Sequence, residues 1–512
     1  MRYLFVLFLA SSTLIAQPDA QQESLAEHFH AGQRAAAAQR FDEAIHEFQA
    51  VLKIDPNLLQ ARANLGLMYY SKGDYGAAAA QMTQVVRVQP ELLPAQLFLG
   101  LSDLNVAKPR DAETALRKAL KIDPTNGEAE LGLLTACVQQ AEFAEAETEL
   151  QKLKQKPPQE ETLYAIGQAY LDLGKTLTSR MAQAYPSSAW AHRLAGDLAA
   201  ERQDWPAAVV SYRAALPSSP QMPGLRDALA QAAQKAGGAN EAAAALPTQT
   251  AASALDLPEE RLTGGIAAFG AMNYDAAARD FENAMEIRQT PEVLYWLIRA
   301  YSAEGGECFE KLQQSFPDSG RAHELRGSIY RLQQNFPSAL NEFEQALQKR
   351  PDDPQLYRSA GEMLVLLDRP RDAEAALKKA AQLSPGSAEN EYLLAQVSLR
   401  DKDTAGEVAH LKRALALNPA LPEVRALLGT AYMHLNQPAL AVPQLEKALA
   451  IDYHGDLHFQ LYKAYRMEGN TAAADKALAR SKELRKLSLQ SAVSKISPDS
   501  GVLAADSADA NQ

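Results

Sequence analysis

FDEAIHEFQAVLKIDP, residues 41–56, holds the pattern that decides the architecture. Its apolar residues Phe41, Ala44, Ile45, Phe48, Val51 and Leu52 share one stripe of a 3.6-residue helix. Pro56 closes the stretch, because proline cannot continue a helix and pushes its predecessor out of the α region. Working outward, the closing proline recurs at one constant spacing, at Pro56, Pro90, Pro124 and Pro158 and again at Pro351, Pro385 and Pro419. A glycine comb keeps constant phase with it: Gly32, Gly66 and Gly100, then Gly327, Gly361 and Gly429. Between glycine and proline come a small and then a bulky residue, as in Ala44 and Phe48, Ala112 and Leu116, and Ala339 and Phe343. A mid-helix glycine costs roughly 1 kcal/mol relative to alanine. Close approach of a partner helix offsets that cost, so each period reads as two antiparallel helices.

A 34-residue period with this small–aromatic–proline phasing resembles the tetratricopeptide-repeat (TPR) family, from about Leu25 to Leu484. Leu65, Gly66, Tyr69, Tyr75, Ala78 and Pro90 fall where that family places its signature residues, as do Gly327, Tyr330, Ala339, Phe343, Ala346 and Pro351. The resemblance implies an all-α, right-handed α-solenoid of about 14 antiparallel helix pairs. It also implies a scaffold for protein–protein interaction that holds other proteins or peptide segments in a concave groove.

Two units depart from the period. The interval from Gly167 to Pro186 is shorter than its counterpart from Gly66 to Pro90, and the interval from Ile298 to Pro317 is shortened alike. This predicts a shortened second helix and a local bend at each. Aligned, the two expose a longer repeat at one fixed offset: Tyr164 with Tyr295, Tyr170 with Tyr301, Gly196 with Gly327, Pro220 with Pro351. A block of several units has been duplicated. Residues 234–257, with Gly237-Gly238 and an Ala/Thr-rich run, read as a hinge or degenerate repeat between solenoids at 17–233 and 258–485, the second closed by a polar amphipathic capping helix. Residues 486–512 turn small, acidic and aperiodic and are expected to be a disordered tail.

MRYLFVLFLASSTLIA, residues 1–16, has a basic residue followed by an apolar stretch shorter than the roughly 20 residues of a bilayer span. It reads as a signal peptide, so the protein is expected to be exported, periplasmic or extracellular, with no integral span after cleavage. The formal net charge of −12 opposes nucleic-acid binding, which needs a basic stripe. The cysteines, Cys137 and Cys308, read as separate small hydrophobes.

The sequence carries little chemistry. His454 and His458 lack a third ligand, His323-Glu324 begins an HExxH whose second histidine place is Gly327, and Gly174-Lys175-Thr176 has Ala169 where a P-loop needs glycine. No catalytic residue, cofactor or metal site is expected. Carried over from the family by phase, the groove positions are Phe29, Gln33, Leu67, Tyr70, Leu97, Leu101 and Leu104, an apolar trough, and Arg321, Glu324, Arg331, Arg358, Glu362, Tyr392 and Arg400, a charged one. An accessory or regulatory role in an envelope polysaccharide-secretion or enzyme complex is the alternative. Against a polysaccharide role, the chain has only three tryptophans.

Overall fold

The computed structural model describes residues 20–237 and 260–496. The expected signal peptide, residues 238–257 of the expected hinge and residues 497–512 of the expected tail lie outside the described residues. Among those described there are 25 α-helices, one short 3₁₀ turn (Leu449–Ile451) and no strand.

The first helices pair in sequence: α1 (Ala20–Ala37) with α2 (Phe41–Ile54), α3 (Leu59–Ser71) with α4 (Tyr75–Val88), α5 (Leu93–Asn105) with α6 (Pro109–Ile122), α7 (Gly127–Gln140) with α8 (Phe143–Lys154). A mid-helix glycine sets the first three of these pairings, and α7 has Leu134 at that place. A Cβ on Gly66 would meet Met82, one on Gly100 would meet Leu116 at 2.5 Å, and one on Gly327 would meet Phe343 at 2.7 Å. In every case the partner stands eight residues before the closing proline, so bare backbone receives the bulky residue of the second helix. Between the helices one residue per turn is left-handed at constant phase: Gln39, Gly73, Ala107 and Ala141, and later Gln334, Asp368, Lys402 and Asn436.

At residue 160 this order changes. The expected shortened helix is absent. α9 runs unbroken from Glu160 to Ala184, 25 residues, and its duplicate α15 from Pro291 to Ser315, also 25 residues. The residues missing from each shortened interval are those that would make the turn, so the first helix continues directly into the second.

A straight helix cannot fold back on itself, and Gly167 finds its partner elsewhere. A Cβ there would lie 2.4 Å from the ring of Phe309, which stands eight residues before Pro317 in the other block. α9 and α15 therefore pack antiparallel and form the most extensive helix pair among the described residues. The N-terminal half of each pairs with the C-terminal half of the other. Tyr170 and Tyr301, equivalent under the duplication and both fully buried, meet at the crossing with ring centroids 5.5 Å apart.

This exchange joins the two expected solenoids into two intersecting stacks. The long stack runs through α1–α8, the first half of α9 and the second half of α15. It continues through α16 (Gly320–Leu332), α17 (Phe336–Lys349), α18 (Pro354–Leu366), α19 (Pro370–Leu383), α20 (Ala388–Arg400), α21 (Thr404–Leu417), α22 (Pro422–His434), α23 (Pro438–Ala448), α24 (Asp456–Met467) and α25 (Thr471–Ile496). The short stack runs through α13 (Glu260–Gly270), α14 (Tyr274–Ile287), the first half of α15, the second half of α9, then α10 (Ala189–Glu201), α11 (Trp205–Ala215) and α12 (Leu225–Lys235). α25 carries the helix to Ile496, so the first part of the expected 486–512 tail is helical.

The junctions match under the duplication. Tyr164 of α9 donates to Glu324 of α16 at 3.1 Å with Arg321 over its ring. Its counterpart Tyr295 of α15 donates to Asp197 of α10 at 2.7 Å and packs on Trp190, the counterpart of Arg321. The long stack also returns on itself. The Gly73 turn packs on the loop after α19, where a Cβ on Gly386 would come 3.2 Å from the Gly73 carbonyl oxygen.

Candidate interaction surfaces

The residues expected to line a groove fall into three environments. Phe29 and Leu97 are buried, Phe29 against Phe48 at 5.7 Å, and offer no surface to a ligand. Gln33, Leu67, Leu101 and Leu104 are half-buried, the three leucines seated against the cores of neighbouring units. Tyr70 is half-buried and meets Tyr75 and Phe98 edge-on at 5.3 and 5.0 Å.

The charged set forms ties between successive first helices. Arg331 pairs with Glu362 at 3.1 Å, Arg358 with Ser387 at 3.1 Å and Glu389 at 3.7 Å, and Arg400 with Asp368 at 2.8 Å. Arg321 binds Glu161 and Glu324, and Arg350 joins Glu324 at 2.6 Å. Tyr392 is half-buried against the α20–α24 core. These guanidinium groups are engaged within the chain, so a ligand carboxylate would compete with existing carboxylates. The exposed pairs Arg331–Glu362 and Arg400–Asp368 contribute about 0–1 kcal/mol each, a weak obstacle to exchange.

The expected set omits a row in the short stack. Phe269 of α13, Trp296 of α15 and Trp190 of α10 lie side by side, with centroids 5.5 Å apart for Phe269–Trp296 and 6.3 Å for Trp296–Trp190. All three are half-buried, and each sits on the first helix of its unit. Tyr295 flanks the row at 4.9 Å from Trp190. Beside it Asp197 accepts from Tyr295 and Tyr212 and pairs with Arg193 at 3.0 Å, while Arg299 pairs with Glu201 at 2.7 Å. Phe269 meets Trp296 edge to face at 64°, the two indoles are tilted at 56°, and Phe281 stacks on Trp296 at 19°. Two of the chain's three tryptophans are in this row.

The sequence-level metal and catalytic fragments have structural partners. His323 Nδ1 contacts Glu342 at 2.8 Å, His458 contacts Asp452 at 2.6 Å, and His454 contacts Ser488 at 2.7 Å. Among the described residues no group of three or more His, Cys, Asp or Glu side chains is placed to hold a metal ion. Cys137 and Cys308 are buried free thiols, pushed up to about 12 and about 11 by burial. No helix among the described residues is long and apolar enough to cross a membrane.

A strongly shifted carboxyl lies at the crossing. Glu282 is raised to about 8 by burial, with the nearby charge of Glu147 adding to the effect. It accepts from Tyr301 at 2.7 Å. Close by, Lys154 bridges Asp275 and Glu304 and lies 4.8 Å over the Tyr170 ring.

Comparison with known proteins agrees with this architecture. Three tetratricopeptide-repeat models match the chain, at residues 107–174, at 29–91, 302–354, 330–388 and 365–422, and at 422–454. One match ends at Gly174 inside α9 and another begins at Ser302 inside α15, so together they trace the long stack and omit the short one. No curated protein matches the chain. Similar solved structures include yeast Tom70 (13% identity, 93% of this chain and 96% of that chain, TM-score 0.31). PilF of Pseudomonas aeruginosa is also similar (15%, 45% and 96%, 0.33), as is MamA of Desulfovibrio magneticus RS-1 (20%, 33% and 95%, 0.31). At these scores the likenesses carry no weight for function. The repeat matches cover more than half of the chain, which belongs to the tetratricopeptide-repeat family.

Proposed function

We propose that this protein is an exported scaffold that holds partner proteins or peptide segments along the first-helix faces, with the Phe269–Trp296–Trp190 row as its principal contact. The observation that carries this reading is the row itself. Half-buried Trp and Phe, with Arg299 on the same helix as Trp296, have the composition of binding hot spots, where large rigid side chains bury area at small entropic cost. Repeat membership supports a scaffold role, since such solenoids leave an extended inner wall. Phe281 already stacks on Trp296 and Phe269 meets it edge-on, which favours a protein segment over a sugar, because a stacking platform needs an open ring face.

The test is site-specific photocrosslinking in the native cell, with benzoylphenylalanine at Phe269 and, as control, at Val88, which is 65% exposed on a second helix. A discrete crosslinked partner at 269, lost on combining it with Trp190→Ala, is the expected result. Equal crosslinking at both positions, or none at 269, would remove the row from the account. Export is checked separately, by protease access to the protein in intact and permeabilised cells.

A further inference from the structure

Three residues after the mid-helix glycine, the first helix of a unit carries tyrosine at Tyr69, Tyr330 and Tyr432, and Tyr170 has the same place in α9. The ring occupies space beside the second helices. In α5 that place is Asp103. It is only 6% exposed, and among the described residues its carboxylate has no hydrogen-bond or ion-pair partner. Burial and Asp111 push its carboxyl above the ordinary range while Lys108 opposes them.

A carboxylate is smaller than a phenol ring, and the missing volume is not refilled. A cavity of about 480 Å³ opens between α4 and α6, with α5 as its floor and Asp103 in its wall. It stays open because α4 lines it with Gly76, Ala79, Ala80 and Thr83. Where Ala79 and Ala80 stand, the repeat one unit earlier has Ile45 and His46, and one unit later Glu113 and Thr114. Small residues on α4 and a carboxylate with no protein partner among the described residues therefore coincide in one unit.

We propose that this cavity binds the side chain of an arginine supplied by a partner protein, with Asp103 as the anchoring carboxylate. Ala79, Ala80 and Leu99 in the mixed lining take the methylene stem, and the planar guanidinium reaches the carboxylate with two parallel N–H bonds. An ammonium is more strongly hydrated and gives up more on entry. Asp111 adds a second carboxylate to the lining, set against Lys108 and Lys118, and the chain's net charge of −12 draws a basic segment toward it. The site lies on the second-helix face and is independent of the aromatic row.

The test is an array of degenerate nonapeptides with the central residue fixed as arginine or citrulline, probed with the full chain. Arginine peptides should bind at least tenfold more strongly than citrulline peptides, which keep the shape and lose the charge. Asp103→Asn should erase that preference. Ala80→Leu, at an exposed position, should erase it by plugging the mouth. Asp103→Tyr should erase it while raising Tm, because the repeat's own ring refills the slot. An arginine preference that is absent from the wild type, or that survives in variants with intact helical circular dichroism, overturns the proposal. So does N-acetylarginine amide binding as tightly as the peptides, which would make the occupant a small free cation.

Discussion

Gly66 and Gly167 have the same role with partners at very different distances along the chain. Gly66 receives Met82, sixteen residues on; Gly167 receives Phe309, from the duplicated block. The geometry of the contact is the same and only the connection differs. In the ordinary unit two or three residues between the helices turn the chain, so the interface is local and cheap in loop entropy. In α9 and α15 those residues are missing, the helices run through, and each duplicate completes the other. A repeat interface thus specifies a partner surface, and the turn decides whose surface it is. The consequence is a single crossing whose failure undoes both stacks, whereas an ordinary hairpin can be lost with mainly local damage.

The largest effect should follow from restoring the turns. Inserting a five-residue turn after Gly174 and after Gly305 lets each helix fold back on its own second half. The expected result is loss of the α9–α15 pairing and a drop of many degrees in Tm, or separation of the transition into two. Next come substitutions at the two glycines. Gly167→Ala places its Cβ 2.4 Å from an aromatic ring, whereas in Gly66→Ala the nearest atom is the flexible end of Met82 at 3.0 Å. We expect destabilisation of about 1–3 kcal/mol for the first, by denaturant unfolding, and little change for the second.

Glu282 gives a pH signature to the crossing. Its folded-state pKa of about 8 is above its ordinary 4.5, so the folded protein holds that proton more tightly. Stability from this group is complete below pH 4.5 and falls away as pH rises to about 8. Glu282→Gln keeps an acceptor for Tyr301, and should flatten that decline and raise Tm by a few degrees at pH 9 relative to the parent. The smallest effect belongs to the exposed ties. Arg331→Ala breaks the pair with Glu362, half-exposed on both sides, and should cost less than about 0.5 kcal/mol.

The sequence makes the repeat legible because glycine, small residue, aromatic and proline each answer to a steric requirement that recurs once in every unit. It also shows the duplication and the two short intervals. What the short intervals do is not local information. Gly174 stands seven residues after Gly167, as Gly73 does after Gly66, and only Gly73 forms the turn. The choice depends on a partner in the other copy of the duplicated block. The groove was read only from regular units, so the row on α13, α15 and α10 was missed, although Trp190 and Arg321 share a phase. Asp103 was legible in principle, as the one carboxylate where neighbouring units carry Tyr69 and Cys137.

The exchange can be tested with two short bismaleimide crosslinks in the full chain. One joins cysteines replacing Glu161 and Arg321, at the junction of the long stack; the other joins cysteines replacing Glu201 and Arg299, at the junction of the short stack. The native thiols are buried and should not compete. Both pairs should link rapidly within one chain, each giving a looped species of altered mobility on a denaturing gel. Failure of either pair to link, with the protein folded, would mean that the duplicated blocks stand apart and that α9 and α15 do not complete one another.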